Sequence, residues 1–191
     1  MTGNGSRLIP CAIAAISTLI VVSPLFAQGI QIQVIPRQSD EADQPRYFGA
    51  YWDASDGYDP WDEPEPPAPP GACPLLAFAM PGYDGPLPNR WRQEYRSLES
   101  LLIDESALFE ARICVSEVPA TVTLAVALTV DGYPIEQLLF YPDEGEPQIL
   151  ALPAELELTL TDLERTVRFE LQVSGVPAQT QTWSALKSAY R

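Results

Sequence analysis

Two groups of side chains in this chain could do chemistry: the carboxylates and aromatic rings of residues 47–63, and three arginines at 90, 92 and 96. Asp53, Asp56, Asp59, Asp62 and Glu63 supply oxygen donors of the kind that Ca²⁺ takes about six to eight of. With Gly57 as the sixth residue of an EF-hand loop, Glu63 falls on the twelfth. The first and third positions are then Trp52 and Ala54, which offer no side-chain oxygen. The run therefore reads first as a solvated acidic linker, with a weak, irregular calcium site as the alternative. Among these acids stand Tyr47, Phe48, Tyr51, Trp52, Tyr58 and Trp61, six aromatics in 15 residues. Each ring gains by leaving water. They either dock on the chain's own domain or bind a partner, and Tyr47, Tyr51, Trp52, Tyr58 and Trp61 are the candidate partner-binding residues. Arg90, Arg92 and Arg96 form a candidate anion site. Polybasic headgroup recognition uses about four to eight charges, so the neighbouring Glu94 and Glu99 are the simpler partners for these three.

Composition removes several other chemistries. The chain has no histidine, and with it goes the usual base of a Ser-His or Cys-His dyad. No glycine-rich phosphate loop is present. A carboxylate-pair hydrolase needs two acids about 5–10 Å apart, but 26 acidic residues make chance pairs common, and short loops leave little wall for a cleft. The expectation is a non-catalytic protein without a cofactor, with such a hydrolase as a minor alternative. The formal charge of −15 repels phosphate backbones, so nucleic acid is not an expected partner.

The elements that position these groups begin after an export signal. Arg7, an apolar stretch over residues 8–22 and Ser23-Pro24-Leu25-Phe26-Ala27 have the layout of a secretory signal peptide cut after Ala27. The apolar stretch is shorter than the roughly 20 residues of a spanning helix. Cleavage into the periplasm or beyond is expected, and membrane attachment only if this segment is retained. Cys11 lies inside the stretch with no lipobox around it. Cys73 and Cys114 remain, an even count suited to a disulfide in an oxidising compartment and too few for a four-ligand zinc site.

Residues 36–72 contain eight prolines and nine acids against Arg37 and Arg46. Missing backbone donors and charge repulsion predict that 28–72 is an acidic, Pro- and aromatic-rich arm, largely extended or disordered. It includes a polyproline II spacer at 63–70. The spacing of Trp91, Tyr95, Leu98 and Leu102 predicts a helix over 89–103. From residue 106 the period changes to two. Phe109, Ala111, Ile113 and Val115 alternate with polar residues, as do Val122 to Val130, Leu156 to Leu160 and Val167 to Val173. With weaker strands at 135–141, 148–152 and 179–184, the count is seven, the fold class a mainly β, seven-stranded antiparallel β-sandwich within a disulfide-strapped domain, 73–191. Cys114 falls on the Glu110/Arg112 face, so the bridge should strap the outside of the sheet rather than cross its core.

Val115-Ser116-Glu117-Val118-Pro119-Ala120 is echoed by Val173-Ser174-Gly175-Val176-Pro177-Ala178, which reads as one corner geometry chosen twice. Leu163 and Phe169, six apart across a corner, resemble the Leu-to-Tyr spacing of fibronectin type III domains; the resemblance implies an immunoglobulin/fibronectin-III-like sandwich and nothing about function. Phe169 lacks the hydroxyl that the corner uses. A signal, a proline-rich arm and a small C-terminal domain also resemble the outline of TonB-type energy transducers, without their lysine-rich spacer. The functional expectation is an exported interaction or structural module of the cell envelope, its partner an envelope or extracellular protein. A weak calcium-binding protein, a carboxylate hydrolase and a TonB-like adaptor are the alternatives.

Overall fold

The computed structural model describes residues 29–39, 41–67, 73–142 and 146–174. The expected signal peptide and the strand expected at 179–184 lie outside them. The strands are β1 (Gly29–Gln38), β2 (Glu41–Ala42), β3 (Arg46–Tyr51), β4 (Glu63–Pro64), β5 (Leu76–Ala79), β6 (Trp91–Ser97), β7 (Ser106–Cys114), β8 (Ala120–Asp131), β9 (Ile135–Pro142), β10 (Gln148–Ile149), β11 (Ala154–Leu160) and β12 (Glu164–Val173), with one helix, α1 (Leu98–Asp104), between β6 and β7.

They form one mixed sheet in the order β10-β9-β12-β7-β5-β6-β3-β1-β8-β11, with β2 on β1 and β4 on β6. The parallel pair is β3 with β6. The seven-stranded antiparallel sandwich is thus corrected to a curled mixed sheet of twelve strands. Its curl follows from two observations. Phe48 on β3 and Phe169 on β12 would stand about 19 Å apart in a flat sheet, four strand spacings, yet their ring centroids are 5.1 Å apart. The outermost strands β10 and β11 are joined by residues 150–153, a link that spans at most about 17 Å, whereas a flat ten-strand path would separate them by about 43 Å. The concave face closes over one core that includes Ile32, Phe48, Phe78, Phe109, Phe140 and Phe169, all fully buried. The two halves of the sheet join at a single β5–β6 pair, Phe78 opposite Trp91.

The largest departure from expectation lies in residues 28–72. Ile30, Ile32 and Val34 of β1 and Phe48 and Ala50 of β3 are fully buried, and both strands lie inside the sheet instead of forming an extended arm. Proline content concealed this, because Pro36 sits near the end of β1 and the densest prolines follow β4. Gly49 permits the close β1–β3 approach: its φ is +156°, and a Cβ there would lie 1.9 Å from the Ile30 carbonyl oxygen.

The helix expected over 89–103 is also corrected. Trp91 and Tyr95 are four apart, a spacing that serves a strand of period two as well as a helix, and residues 91–97 are strand β6. Helix begins at Leu98, capped by Ser97, whose hydroxyl accepts from the Ser100 N–H at 3.3 Å. It buries Leu98 and Leu101 and stops at Glu105, whose φ is +62°. The alternating strands of the C-terminal half match expectation: Phe109, Ala111 and Ile113 face the core while Cys114 faces outward. The Cys73–Cys114 disulfide forms, with the Cα atoms 6.1 Å apart, on the outer face. The fibronectin-like corner does not form a packed pair, since Leu163 is exposed and Phe169 buried.

Candidate functional site

The loop between β3 and β4, residues 52–62, gathers most of the candidate residues, and its own carboxylates hold it. Asp59 accepts from the backbone N–H groups of Ser55 and Trp61, the latter at 2.7 Å. Asp62 accepts from the N–H of Asp59 at 3.0 Å and from that of Tyr95 on β6 at 2.9 Å. Asp56 accepts from the Ser97 N–H at 3.1 Å, and its carbonyl accepts from Arg96 Nη1 at 2.7 Å. Burial pushes the Asp62 carboxyl up to about 6, against the pull of those two N–H donors and of Arg96. A loop rich in Asp folds this way because its carboxylates replace the backbone acceptors that a turn lacks. Glu63 turns away to Gln93 and Arg92. Four of the five calcium candidates, Asp56, Asp59, Asp62 and Glu63, therefore serve backbone or side-chain donors, Asp53 is exposed, and among the described residues no group of three or more metal-ligating side chains converges.

The aromatic rings dock on the domain and yet stay accessible. Tyr51 stacks on Trp61 at 5.1 Å with 12° between the planes, and meets Tyr95 edge-on. Trp52 meets Tyr133 of the β8–β9 turn at 6.3 Å. Tyr58 packs on Trp91 at 5.1 Å and on Tyr83 at 6.2 Å. Trp52, Tyr58 and Trp61 nonetheless keep 42%, 54% and 41% of their surface exposed. Tyr47 lies apart, half-buried on the outer face, its hydroxyl accepting from Gln33 Nε2 at 3.0 Å. Between Tyr58 and the turn after β5 runs a cleft of about 330 Å³, lined by Tyr58, Met80, Pro81, Tyr83 and Asp84 among others. A wider hollow of about 650 Å³ beside the β1–β2 hairpin has, among the described residues, Leu75 as its one large apolar wall residue, so these give a ligand little to bury against.

The three arginines do not assemble an anion site. Arg92 pairs with Glu63 at 3.6 Å and Arg96 with Glu94, while Arg90 lies beside the disulfide with Arg112. The register sends Glu94 and Arg96 to the face that Phe48 occupies, because Phe48 pairs with Glu94 and Ala50 with Arg96. Glu94 is fully buried, and its second carboxylate oxygen has no hydrogen-bond partner. Burial pushes its carboxyl up to about 8; Arg96 opposes this, while Asp62 and Glu110 reinforce it. The Arg96 guanidinium sits 5.8 Å from the centre of the Phe109 ring. Asp62 and Glu94 are two acids with separated proton affinities, an arrangement that acid–base catalysts use. With no exposed surface at Glu94, no substrate reaches it in this conformation.

Sequence reasoning missed Glu94 as a core residue, together with Arg46. That guanidinium is buried and donates to the Leu76 and Gln44 carbonyls at 2.8 and 2.6 Å and to Glu65 at 2.9 Å. For Arg46 the signal was period two, since Arg46, Phe48 and Ala50 share one face of a strand; Glu94 carried no such signal, because alternation groups it with the charged Arg92 and Arg96 and apart from the apolar Trp91 and Tyr95. No protein-family model, curated protein or solved structure matches this chain.

Proposed function

We propose that this chain is an exported, non-catalytic interaction module of the cell envelope or extracellular space that binds a protein partner through the aromatic loop 52–62 and the rings it leans on. One observation carries the reading. Trp52, Tyr58 and Trp61 are each fixed by ring contacts, and each leaves two-fifths or more of its surface in water. Rigid, half-exposed Trp and Tyr are the side chains that dominate binding hot spots, because they bury much area with few torsions to freeze. The carboxylate pins beneath the loop reduce the ordering that binding would otherwise cost.

The disulfide is compatible with an oxidising, exported location, and no helix among the described residues is long and apolar enough to cross a membrane. Complete burial of Glu94 speaks against the hydrolase alternative, and the dispersal of the loop carboxylates speaks against the calcium alternative. The test is crosslinking mass spectrometry on the tagged protein in its native cells, with Trp52→Ala/Trp61→Ala as the comparison. The proposal expects specific crosslinks that vanish in the double variant while its thermal transition holds. Crosslinks that persist unchanged, or a transition that collapses because the rings serve stability alone, would overturn it.

A further inference from the structure

We propose that the cleft between Tyr58 and the turn after β5 receives an arginine side chain from an extended segment of a protein partner. This rests on the aromatic loop being a binding surface and adds what that surface recognises. Tyr58 and Tyr83 present two ring walls, and the exposed Asp84 carboxylate stands in the same cleft. A guanidinium matches that pairing: its plane stacks on an electron-rich ring while its edge donates to a carboxylate. The mouth is open, since Cβ atoms built on Gly57 or Gly82 would meet nothing within 4 Å.

Six arginines among the described residues are engaged elsewhere. Arg37, Arg46, Arg92, Arg96 and Arg112 each pair with a carboxylate, and Arg168 lies 5.7 Å from the centre of the Tyr141 ring. Among the described residues Asp84 has no ion-pair partner. The adjoining loop adds Asp53, Asp56 and Asp59 on a protein of formal charge −15, so a cation is drawn to this face and an anion is turned away. The fold already makes the same kind of contact twice, with Arg96 over Phe109 and Arg168 over Tyr141. A protein segment fits better than a small cation, because Trp61 in the same loop as Tyr58 and Leu87 two residues beyond Gly85 of the cleft wall are also exposed apolar side chains, and aromatic residues with arginine are enriched at protein–protein interfaces.

The experiment titrates the full disulfide-bonded chain with the acetylated, amidated peptide Gly-Arg-Pro-Arg-Gly and with its twin carrying citrulline, an uncharged isostere, at both arginines. Calorimetry or NMR shifts give the dissociation constants. The arginine peptide should bind at least about fivefold more tightly than the citrulline peptide. Tyr58→Ala should weaken it by about fivefold, Asp84→Asn by about threefold, and Tyr58→Phe should preserve it. Added salt should weaken binding to the natural chain more than to Asp84→Asn. Tyr58 and Asp84 are both exposed, so the variants should keep the thermal transition. Equal affinity for the two peptides, indifference to both Tyr58→Ala and Asp84→Asn, or no saturation at millimolar peptide would overturn the proposal. If the peptide fails while Trp52→Ala/Trp61→Ala still removes the cellular crosslinks, the arginine cleft falls and the aromatic surface stands. If the peptide binds while those crosslinks persist, the reverse holds.

Discussion

Raising the pH from 5 to 8 should destabilise this protein, and Glu94 should be the main cause. Its carboxyl is pushed from 4.5 to about 8 in the folded chain, chiefly by burial. The folded state therefore holds this proton more tightly than the unfolded chain. Between pH 4.5 and 8 the unfolded state binds fewer protons, so stability falls as the pH rises through that window. A displacement of this size corresponds to about 5 kcal/mol over the full window, a large share of a typical total of about 5–15 kcal/mol. Asp62, pushed from 3.8 to about 6, acts in the same direction at the acidic end. Glu170 acts oppositely: hydrogen bonds from Tyr141 and Gln172 hold its carboxyl below the ordinary range, so its contribution is lost only as the pH falls further. Urea midpoints at pH 5, 6.5 and 8 measure the slope, and Glu94→Gln removes the titrating proton while keeping the shape. The natural chain should lose stability across this range while Glu94→Gln keeps only the smaller fall that Asp62 leaves at the acidic end, overtaking the natural chain at pH 8. A natural chain equally stable at pH 5 and 8, or a Glu94→Gln variant with the same slope, would refute the reasoning.

Three further outcomes follow from individual contacts. Cys73→Ser/Cys114→Ser frees a loop of sequence separation 41 and should cost about 4 kcal/mol, read from the urea midpoint of the double variant. Gly49→Ala drives a Cβ to 1.9 Å from the Ile30 carbonyl oxygen and should cost about 3 kcal/mol or more by forcing β1 from β3; an unchanged midpoint would show that the strands can part there without loss. Arg46→Met strips the cation from the half-buried Glu65 and two hydrogen bonds from the Gln44 and Leu76 carbonyls. Denaturant titration should find about 3–5 kcal/mol lost, the usual cost of leaving one member of a buried ion pair alone.

Local pattern served well where one face of a strand is apolar and the other polar. Phe109, Ala111 and Ile113 declare β7, and Val167, Phe169 and Leu171 declare β12, because period-two burial is written residue by residue. Cys114 could be placed on the outer face from that alternation alone. Pattern failed where one spacing serves two periods: Trp91 and Tyr95 sit four apart, which suits a helix and a strand equally, and the choice fell to the parallel partner β3. It failed again for Arg46, whose alternation with Phe48 and Ala50 marks it as inward although buried ions are rare unless paired, and for Glu94, which alternation groups with Arg92 and Arg96 and which is inward only because Phe48 is its register partner.

The sequence by itself determined that the chain is mainly β, that its C-terminal half alternates, that Cys73 and Cys114 can pair, and that histidine-dependent catalysis is absent. Each of these is a matter of composition or of near-neighbour spacing, which the chain carries whatever its long-range contacts. Tertiary structure alone decided that β1 and β3 enter the sheet, that the sheet curls, and that Tyr58, Tyr83 and Asp84 share a cleft. Those depend on pairings such as Phe48 beside Glu94 and Phe48 against Phe169, between residues dozens to more than a hundred positions apart. A local hydrophobic period records which face of a strand is buried and says nothing of which strand lies beside it.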